Sequence, residues 1–329
     1  MADFKIVYTD NVFGNNLIEK RRYKDVALKY VEASDFDEDT LKKECADADA
    51  VVCCYAKITS SVIDAMKKCK VIVKAGMGVN NIDISAATEH GIMVANVQKY
   101  CLDEVSDHAI ALILTLIRKT AYMDRQARAG KWEGAVACRP IFRIKDMVFC
   151  LYGFGGIAQN MAKKLKAIGF QVAAYDPFLS DAVFENEGVR RITEENELFR
   201  CADVLAVQLN LNPATEGIIS YEKMKLMKPT SIFINTARGG LVDEAGLIKA
   251  LEEGTIGGAG LDVLVEEHPD MNSPLFQMEN VCITPHIAYY STGSDVDLRH
   301  KTCDQVVDAI LKGEPEYFLN KTQLNAQYA

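Results

Sequence analysis

Three side chains suited to acid–base and anion-binding chemistry lie in the last third of the chain, each just after an apolar run. Arg238, Glu267 and His286 occur in the segments "INTARGGLVDE" (234–244), "GLDVLVEEHP" (260–269) and "ITPHIAYY" (283–290). A histidine can transfer a proton near neutral pH, a neighbouring carboxylate can orient its ring, and an arginine can hold a carboxylate through two hydrogen bonds. Taken singly, a core histidine and a surface Arg238–Glu267 ion pair are the simpler interpretations.

A glycine-rich segment indicates a second kind of chemistry. Residues 148–177, "VFCLYGFGGIAQNMAKKLKAIGFQVAAYDP", pass from a strand pattern through Gly153, Gly155 and Gly156 into a helix, and a second strand ends at Asp176. Such glycines permit a tight turn and a close approach to a pyrophosphate at the helix N-terminus. Asp176 follows Gly153 by 23 residues, near the ~20 expected for an acid that binds ribose hydroxyls and repels a 2′-phosphate. The segment predicts NAD rather than NADP; a plain tight turn is the alternative.

The two sets of residues together predict the oxidation of a 2-hydroxy acid. Arg238 would bind and orient the acid, His286 would take the hydroxyl proton, and the nicotinamide would take the hydride. His268 is a competing base, but its acidic, proline-bearing loop is typical of an exposed segment. The other histidines fall on helical patterns, and we interpret them as structural: His90, His108 and His300.

The elements that must position these residues are short apolar runs alternating with amphipathic stretches. This alternation predicts an α/β fold with doubly wound parallel sheets and helices on both faces. Segments 48–78 and 202–239 share a plan of strand, loop, helix and strand, which two similar domains or any two strand–helix–strand units would produce. The predicted strands cover 5–8, 50–54, 71–76, 148–153, 171–176, 204–209, 231–236, 257–263 and 281–285.

Composition limits the classes of function. The 329 residues suggest two domains at ~150 residues each. The net charge of −9 disfavours nucleic-acid or anionic-membrane binding, because phosphate binding needs basic surface. We expect neither a secretory signal nor a membrane span. Ten cysteines without a CxxC pair predict reduced, mostly buried thiols, no metal site and a cytoplasmic protein.

Motifs along almost the whole chain resemble one family. They are "AGMGVNNID" (75–83), "GIMVANV" (91–97), "GFGGIA" with "YDP", "NTARGGLVDE", "GAGLDV" followed by "EE", and "TPHIAYY". In this order they resemble the D-isomer-specific 2-hydroxyacid dehydrogenases. The resemblance implies two flavodoxin- or Rossmann-like domains with the active site in a cleft between them. It implies a discontinuous substrate domain (1–100 and 292–329), an NAD-binding domain (101–291) and a homodimer built through the NAD-binding domain.

The resemblance also implies roles for individual residues. Arg238, Glu267 and His286 match the catalytic residues, with Arg238 and His286 also near cofactor and substrate. Asp262 matches a residue near the nicotinamide amide. The remaining predicted cofactor contacts are Gly153, Gly155, Gly156, Ile157, Tyr175, Asp176, Pro177, Leu209, Asn210, Thr215, Thr236 and Ala237. The remaining predicted substrate contacts are Tyr55, Met77, Gly78 and Val79.

Departures from the family pattern affect the predicted substrate. Cys53 stands where phosphoglycerate enzymes carry an arginine that grips phosphate, and Lys57 would replace it poorly. Tyr55 with the Tyr289–Tyr290 pair favours an apolar or aromatic 2-oxo acid instead. D-3-phosphoglycerate dehydrogenase of serine biosynthesis remains the second interpretation. An NAD(H)-sensing corepressor-like binding protein is the third, which the short terminus "LNAQYA" disfavours.

Overall fold

Contacts within the chain divide it into two units. The structure is a computed structural model that describes residues 4–10, 12–26, 28–136 and 138–327. The first unit comprises Met1–Tyr100 and Ser291–Ala329, and the second comprises Cys101–Tyr290. Each unit contains one parallel β-sheet.

The first unit has a five-stranded parallel sheet in the order β2-β1-β3-β4-β5. Its strands are β1 (Lys5–Tyr8), β2 (Lys29–Glu32), β3 (Ala50–Cys53), β4 (Val71–Lys74) and β5 (Met93–Ala95). Its helices are α1 (Leu17–Asp25), α2 (Glu38–Glu44), α3 (Ser60–Ala65), α4 (Ile84–Glu89), α12 (Thr292–Val307), which continues as a π-helical turn (Asp308–Lys312), and α13 (Lys321–Gln327).

Both faces of this first sheet are buried, because alternate strand residues point to opposite sides. Ile6 and Tyr8 pack with Cys303 and Val306 of α12 on one face. Val7 belongs to the cluster on the other face, which α2, α3 and α4 complete. Helices on both faces explain why the strands are continuous apolar runs rather than alternating ones.

The second unit has a seven-stranded parallel sheet in the order β12-β11-β10-β9-β6-β7-β8. Its strands are β6 (Val148–Tyr152), β7 (Gln171–Tyr175), β8 (Arg190–Arg191), β9 (Val204–Val207), β10 (Ile232–Asn235), β11 (Gly258–Leu261) and β12 (Val281–Ile283). Its helices are α5 (Leu102–Ile117), α6 (Thr120–Arg128), α7 (Gly156–Ile168), α8 (Asp181–Glu187), α9 (Glu195–Cys201), α10 (Tyr221–Met224) and α11 (Glu244–Glu252). Short 3₁₀ turns cover Ile144–Asp146, Gly239–Leu241 and Pro274–Gln277.

Alternation along β6 shows how this second sheet is covered. Cys150 and Tyr152 face a cluster completed by α9, α10 and α11. Phe149 and Leu151 face the opposite cluster, which includes residues of α5, α7 and α8. The predicted α/β class with doubly wound parallel sheets is therefore confirmed.

All nine predicted strands are present, and each ends at the same residue as its apolar run or one or two residues earlier. Three further strands were missed. All three lie at sheet edges. Strands β2 and β8 are rich in charged residues, and β5 has only three residues. Edge strands are exposed to water and lack the continuous apolar pattern that identifies central parallel strands.

The cysteines fit the prediction of mostly buried thiols. All ten are free, and seven are buried. The partly exposed ones are Cys138, Cys201 and Cys282. In the described part of the chain, no helix has the length and apolar character needed to cross a membrane.

Candidate active site

His286 lies in a tight turn beyond the end of β12. Its backbone has a φ of +52°, a left-handed conformation that non-glycine residues adopt rarely and mainly where surrounding contacts enforce it. The His286 amide donates to the carbonyl oxygen of Asp262 at 2.8 Å. The turn is therefore tied to the end of β11, the strand that pairs with β12.

The Asp262 side chain holds the same turn from inside the protein. Asp262 is only 2% exposed. Its carboxylate accepts hydrogen bonds from the Thr284 hydroxyl at 2.6 Å, the Ile287 amide at 3.0 Å and the Ala288 amide at 2.9 Å. Donors thus surround this buried charge, as its burial requires. These bonds give Asp262 a role that the sequence did not indicate, and its contact with a nicotinamide amide stays a prediction.

His108 on α5 extends this network. Its Nε2 is 2.8 Å from the Thr284 hydroxyl and 3.5 Å from an Asp262 oxygen. Because the Thr284 hydroxyl donates to Asp262, Nε2 of His108 donates to Thr284 and carries the proton. Sequence reasoning placed His108 on a helix but missed this contact. No local sequence pattern indicated it, because the two partners are 176 residues apart.

His286 and Glu267 are in direct contact. Nδ1 of His286 lies 2.8 Å from Oε1 and 2.9 Å from Oε2 of Glu267. A carboxylate can only accept here, so Nδ1 carries the proton of the neutral ring. That tautomer makes Nε2 the nitrogen that accepts a proton from a substrate. The Tyr289 ring stands edge-on to the imidazole at 6.4 Å between centroids.

Arg238 follows β10 and is held by its neighbours. The Asn235 side chain donates to the Arg238 carbonyl at 2.8 Å and accepts from the Ala237 amide at 3.0 Å. The next residue, Gly239, is required by close packing, since an added Cβ would lie 1.8 Å from the Leu264 carbonyl oxygen. The segment that bears Arg238 is therefore fixed against the chain leading to Glu267.

The glycine segment has the shape of a dinucleotide-binding turn. Gly153 has a φ of +90°, and a Cβ there would lie 2.5 Å from the Gln208 carbonyl oxygen. Gly155 caps α7, and a Cβ there would meet open space. The Phe154 amide donates to Asp176 at 3.0 Å, which fastens the turn to the end of β7. These residues fit a dinucleotide, since the thirteen-residue α7 presents its N-terminus beside a small residue.

The other predicted cofactor residues follow strands of the same sheet. Ile157 lies in the first turn of α7, and Tyr175 and Pro177 flank Asp176. The side-chain Nε2 of Gln208 donates to the Thr236 hydroxyl at 3.0 Å, which joins the segments after β9 and β10. The Thr215 hydroxyl donates to the Asn210 carbonyl at 2.6 Å, which closes the loop that begins at Leu209.

The predicted substrate residues belong to the first unit. Tyr55 follows β3 and is 40% exposed. The Asp10 carboxylate fixes this loop by accepting from the amides of Cys54 at 2.8 Å, Ala56 at 3.2 Å and Tyr55. The Asn96 side chain donates to the Met77 carbonyl at 2.7 Å. Gly78 and Val79 continue the Met77 segment after β4.

His268 is exposed, as predicted. Within the described ranges, no group of His, Cys, Asp and Glu side chains could hold a metal ion.

The fold and the site define a class of protein: parallel α/β units with a dinucleotide-type glycine turn and a histidine–carboxylate pair at the strand ends. The family described as "D-isomer specific 2-hydroxyacid dehydrogenase, NAD binding domain" matches residues 110–288. The chain belongs to the D-isomer specific 2-hydroxyacid dehydrogenase family.

Individual relatives agree with this assignment. A D-3-phosphoglycerate dehydrogenase of Methanocaldococcus jannaschii is 35% identical over 86% of this chain and 53% of its own length. A glycerate dehydrogenase of Methylorubrum extorquens is 34% identical over 75% of this chain and 77% of its own. The D-lactate dehydrogenase of Aquifex aeolicus, solved with NAD and lactic acid, is 26% identical with a TM-score of 0.84, covering 98% of both chains. The chain spans about half the length of the phosphoglycerate dehydrogenases that it matches.

Proposed function

We propose that the protein is an NAD-dependent oxidoreductase that interconverts a D-2-hydroxy acid and its 2-oxo acid. The observation that carries this proposal is the contact of Nδ1 of His286 with both oxygens of Glu267, in a turn held by buried Asp262. Such a pair orients the imidazole and stabilises it when it is protonated. The family assignment supports the same reaction class.

In the proposed reaction, Nε2 of His286 takes the hydroxyl proton during oxidation and returns it during reduction of the 2-oxo acid. Glu267 holds the ring and stabilises the imidazolium that forms. Arg238 holds the substrate carboxylate through paired N–H groups. Bound NAD supplies the hydride acceptor, and NADH the donor.

Asp176 supports NAD as the cofactor. Its carboxylate ends β7 and contacts the glycine turn through the Phe154 amide. An acid at this place binds ribose hydroxyls and repels the 2′-phosphate of NADP. A protein of the same fold is an NADPH-dependent glyoxylate/hydroxypyruvate reductase, and a variant of Asp176 tests the choice between the two cofactors. Asp176→Ser is expected to weaken NADH binding and to narrow the preference for NADH over NADPH.

Substrate identity rests on the first unit. Tyr55, Met77, Gly78 and Val79 remain our proposed substrate residues, and Tyr55 favours an apolar or aromatic 2-oxo acid. Phosphoglycerate is the second candidate, because several relatives are named D-3-phosphoglycerate dehydrogenase. Against it, Cys53, at the position of the phosphate-gripping arginine, is fully buried.

We also propose a homodimer formed through the second unit. Helix α6 has no buried residue, and the chain after it exposes Trp132 by 92% and Val136 by 80%. Large exposed apolar side chains close together mark interaction surfaces.

Free thiols throughout the chain support a reducing, cytoplasmic location.

The test is NADH oxidation, followed by absorbance, with pyruvate, hydroxypyruvate, glyoxylate, phenylpyruvate, branched-chain 2-oxo acids and 3-phosphohydroxypyruvate, and with NADPH as the cofactor control. We expect turnover with one of the non-phosphorylated acids. His286→Ala should then lower kcat on the order of 10²-fold or more. The matched control is His268→Ala, which changes an exposed histidine beside Glu267 and should leave kcat unchanged.

Other outcomes discriminate between the interpretations. Turnover with 3-phosphohydroxypyruvate alone would establish the second candidate. NADH binding without turnover of any acid would support the NAD(H)-sensing binding protein. An unchanged kcat in His286→Ala would remove the proposed acid–base role.

A further inference from the structure

Two cysteine thiols outside the site described above lie against one another in the second unit. Sγ of Cys150 on β6 is 3.5 Å from Sγ of Cys201, the last residue of α9. A disulfide bond is about 2.05 Å long, so an approach of about 1.5 Å would join these sulfurs.

The surroundings favour the thiolate form of Cys201. A hydrogen bond from the Cys150 thiol and the Arg190 guanidinium, whose Nη2 lies 3.4 Å from Sγ, lower the pKa of Cys201 to about 7. Partial burial and the Glu197 carboxylate oppose this change without cancelling it. The hydrogen bond to Cys201 and burial raise the pKa of Cys150, which therefore keeps its proton. The pair combines an activated thiolate with an adjacent thiol.

Exposure gives the two thiols different roles. Cys201 is partly exposed, whereas Cys150 has no exposed surface. A small oxidant in solution therefore meets Cys201 first. Cys150 is buried and can react only with the adjacent Cys201 sulfur after that sulfur has been oxidised. Cys201 would therefore be the cysteine that attacks the oxidant, and Cys150 the resolving cysteine.

We propose that Cys201 and Cys150 form a peroxide-responsive dithiol that closes to a disulfide. The Cys201 thiolate attacks one oxygen of hydrogen peroxide, and the O–O bond breaks. Hydroxide departs as the leaving group, and Cys201 becomes a sulfenic acid. The Cys150 sulfur then attacks the Cys201 sulfur, the S–O bond breaks, and the Cys150 proton leaves with the hydroxyl group as water. One peroxide takes two electrons from the two thiols.

The disulfide would cross-link two elements that now only pack together. Cys150 precedes Gly153 by three residues on β6, and Cys201 ends α9. The bond therefore ties the strand that leads into the glycine turn to the helix beneath it. This chemistry is independent of the proposed reaction of 2-hydroxy acids, and its test does not use turnover.

The test treats the reduced, full-length protein with hydrogen peroxide and analyses its peptides by mass spectrometry. We expect the peptides that contain Cys150 and Cys201 to become joined, and dithiothreitol to separate them. Cys150→Ser should lose the cross-link while dimedone traps a sulfenic acid at Cys201. Cys201→Ser should lose both products. Cys282→Ser, which removes another partly exposed thiol, should keep the cross-link.

A second measurement uses the unmodified chain and needs no variant. Iodoacetamide at neutral pH should label Cys201 at least about tenfold faster than Cys282, whose pKa burial raises. The Cys201 rate should reach half its maximum near pH 7. Equal labelling rates, or peptides that stay separate after peroxide treatment of the wild-type protein, would overturn the proposal.

Discussion

Both units use an aspartate beyond one strand to hold the loop that follows the neighbouring strand. Asp10 follows β1 and binds amides of the loop after β3. Asp262 follows β11 and binds the turn after β12. The two differ in burial, since Asp10 is partly exposed and Asp262 is 2% exposed. Asp262 also accepts from a threonine hydroxyl that His108 supports from α5.

The difference in burial matches the different roles proposed for the two loops. The turn held by Asp262 presents His286 in an unfavourable backbone conformation, so the geometry of its proposed proton transfer would depend on these buried hydrogen bonds. The loop held by Asp10 presents Tyr55, a proposed substrate contact that is 40% exposed. We therefore expect loss of the Asp262 hydrogen bonds to lower kcat, and loss of the Asp10 hydrogen bonds to weaken substrate binding.

The largest effect should come from Asp262→Ala. It removes the acceptor of two backbone amides and one hydroxyl, and His286 should move from its productive position. We expect kcat to fall on the order of 10²-fold and the free energy of unfolding to fall by about 3 kcal/mol. Steady-state kinetics and urea unfolding measure both. A kcat within a few-fold of wild type would mean that the turn keeps its conformation without the Asp262 carboxylate.

Glu267→Gln separates the charge of Glu267 from its hydrogen bond to the His286 ring. The amide oxygen can still accept from Nδ1 of His286, but it carries no charge to stabilise the imidazolium. We expect kcat to fall roughly 10-fold or more, with the melting temperature unchanged, because Glu267 is exposed. Loss of thermal stability comparable to that of Asp262→Ala would contradict this division of roles.

Asp10→Asn tests the corresponding device in the first unit. In either orientation of the new amide, Nδ2 would face at least one of the three backbone donors that the two Asp10 oxygens now accept from, and the loop of Tyr55 should loosen. We expect KM for the 2-oxo acid to rise several-fold, on the order of 1 kcal/mol, while kcat and NADH affinity stay near wild type. If kcat fell as far as in Asp262→Ala, the two devices would not differ in function.

The smallest effect should come from His108→Gln. His108 approaches the Thr284 hydroxyl at 2.8 Å and the Asp262 carboxylate only at 3.5 Å, and glutamine can also donate to the hydroxyl. We expect about 1 kcal/mol loss in the free energy of unfolding and a change in kcat of only a few-fold. His300→Gln, an exposed histidine of α12, is the control and should change neither.

Much of the fold follows from patterns that a sequence displays directly. The central strands are continuous apolar runs because helices bury both faces of each sheet, so all nine predicted strands are present. The missed strand Arg190–Arg191 has no such pattern, because it is a charged edge of only two residues. Its pairing with β7 is a tertiary fact that local composition does not encode.

In the site, too, some contacts could be predicted from the sequence and others could not. The contact of His286 with Glu267 could be anticipated because both residues follow strands of one parallel sheet. The bonds of Asp262 to Ile287 and Ala288 could not, since they depend on the path of a turn. The thiol contact of Cys150 with Cys201 was also missed, because scattered cysteines without a spacing motif give no sign of pairing.

The left-handed backbone of His286 makes this residue suited to chemical rescue. Glycine adopts a φ of +52° without the strain that alanine would suffer. His286→Gly should therefore keep the turn, be more stable than His286→Ala by roughly 0.5–1 kcal/mol, and leave a vacancy shaped like the lost ring beside Glu267. Imidazole added to the buffer could then occupy that vacancy, and turnover would become a saturable function of a base supplied from solution.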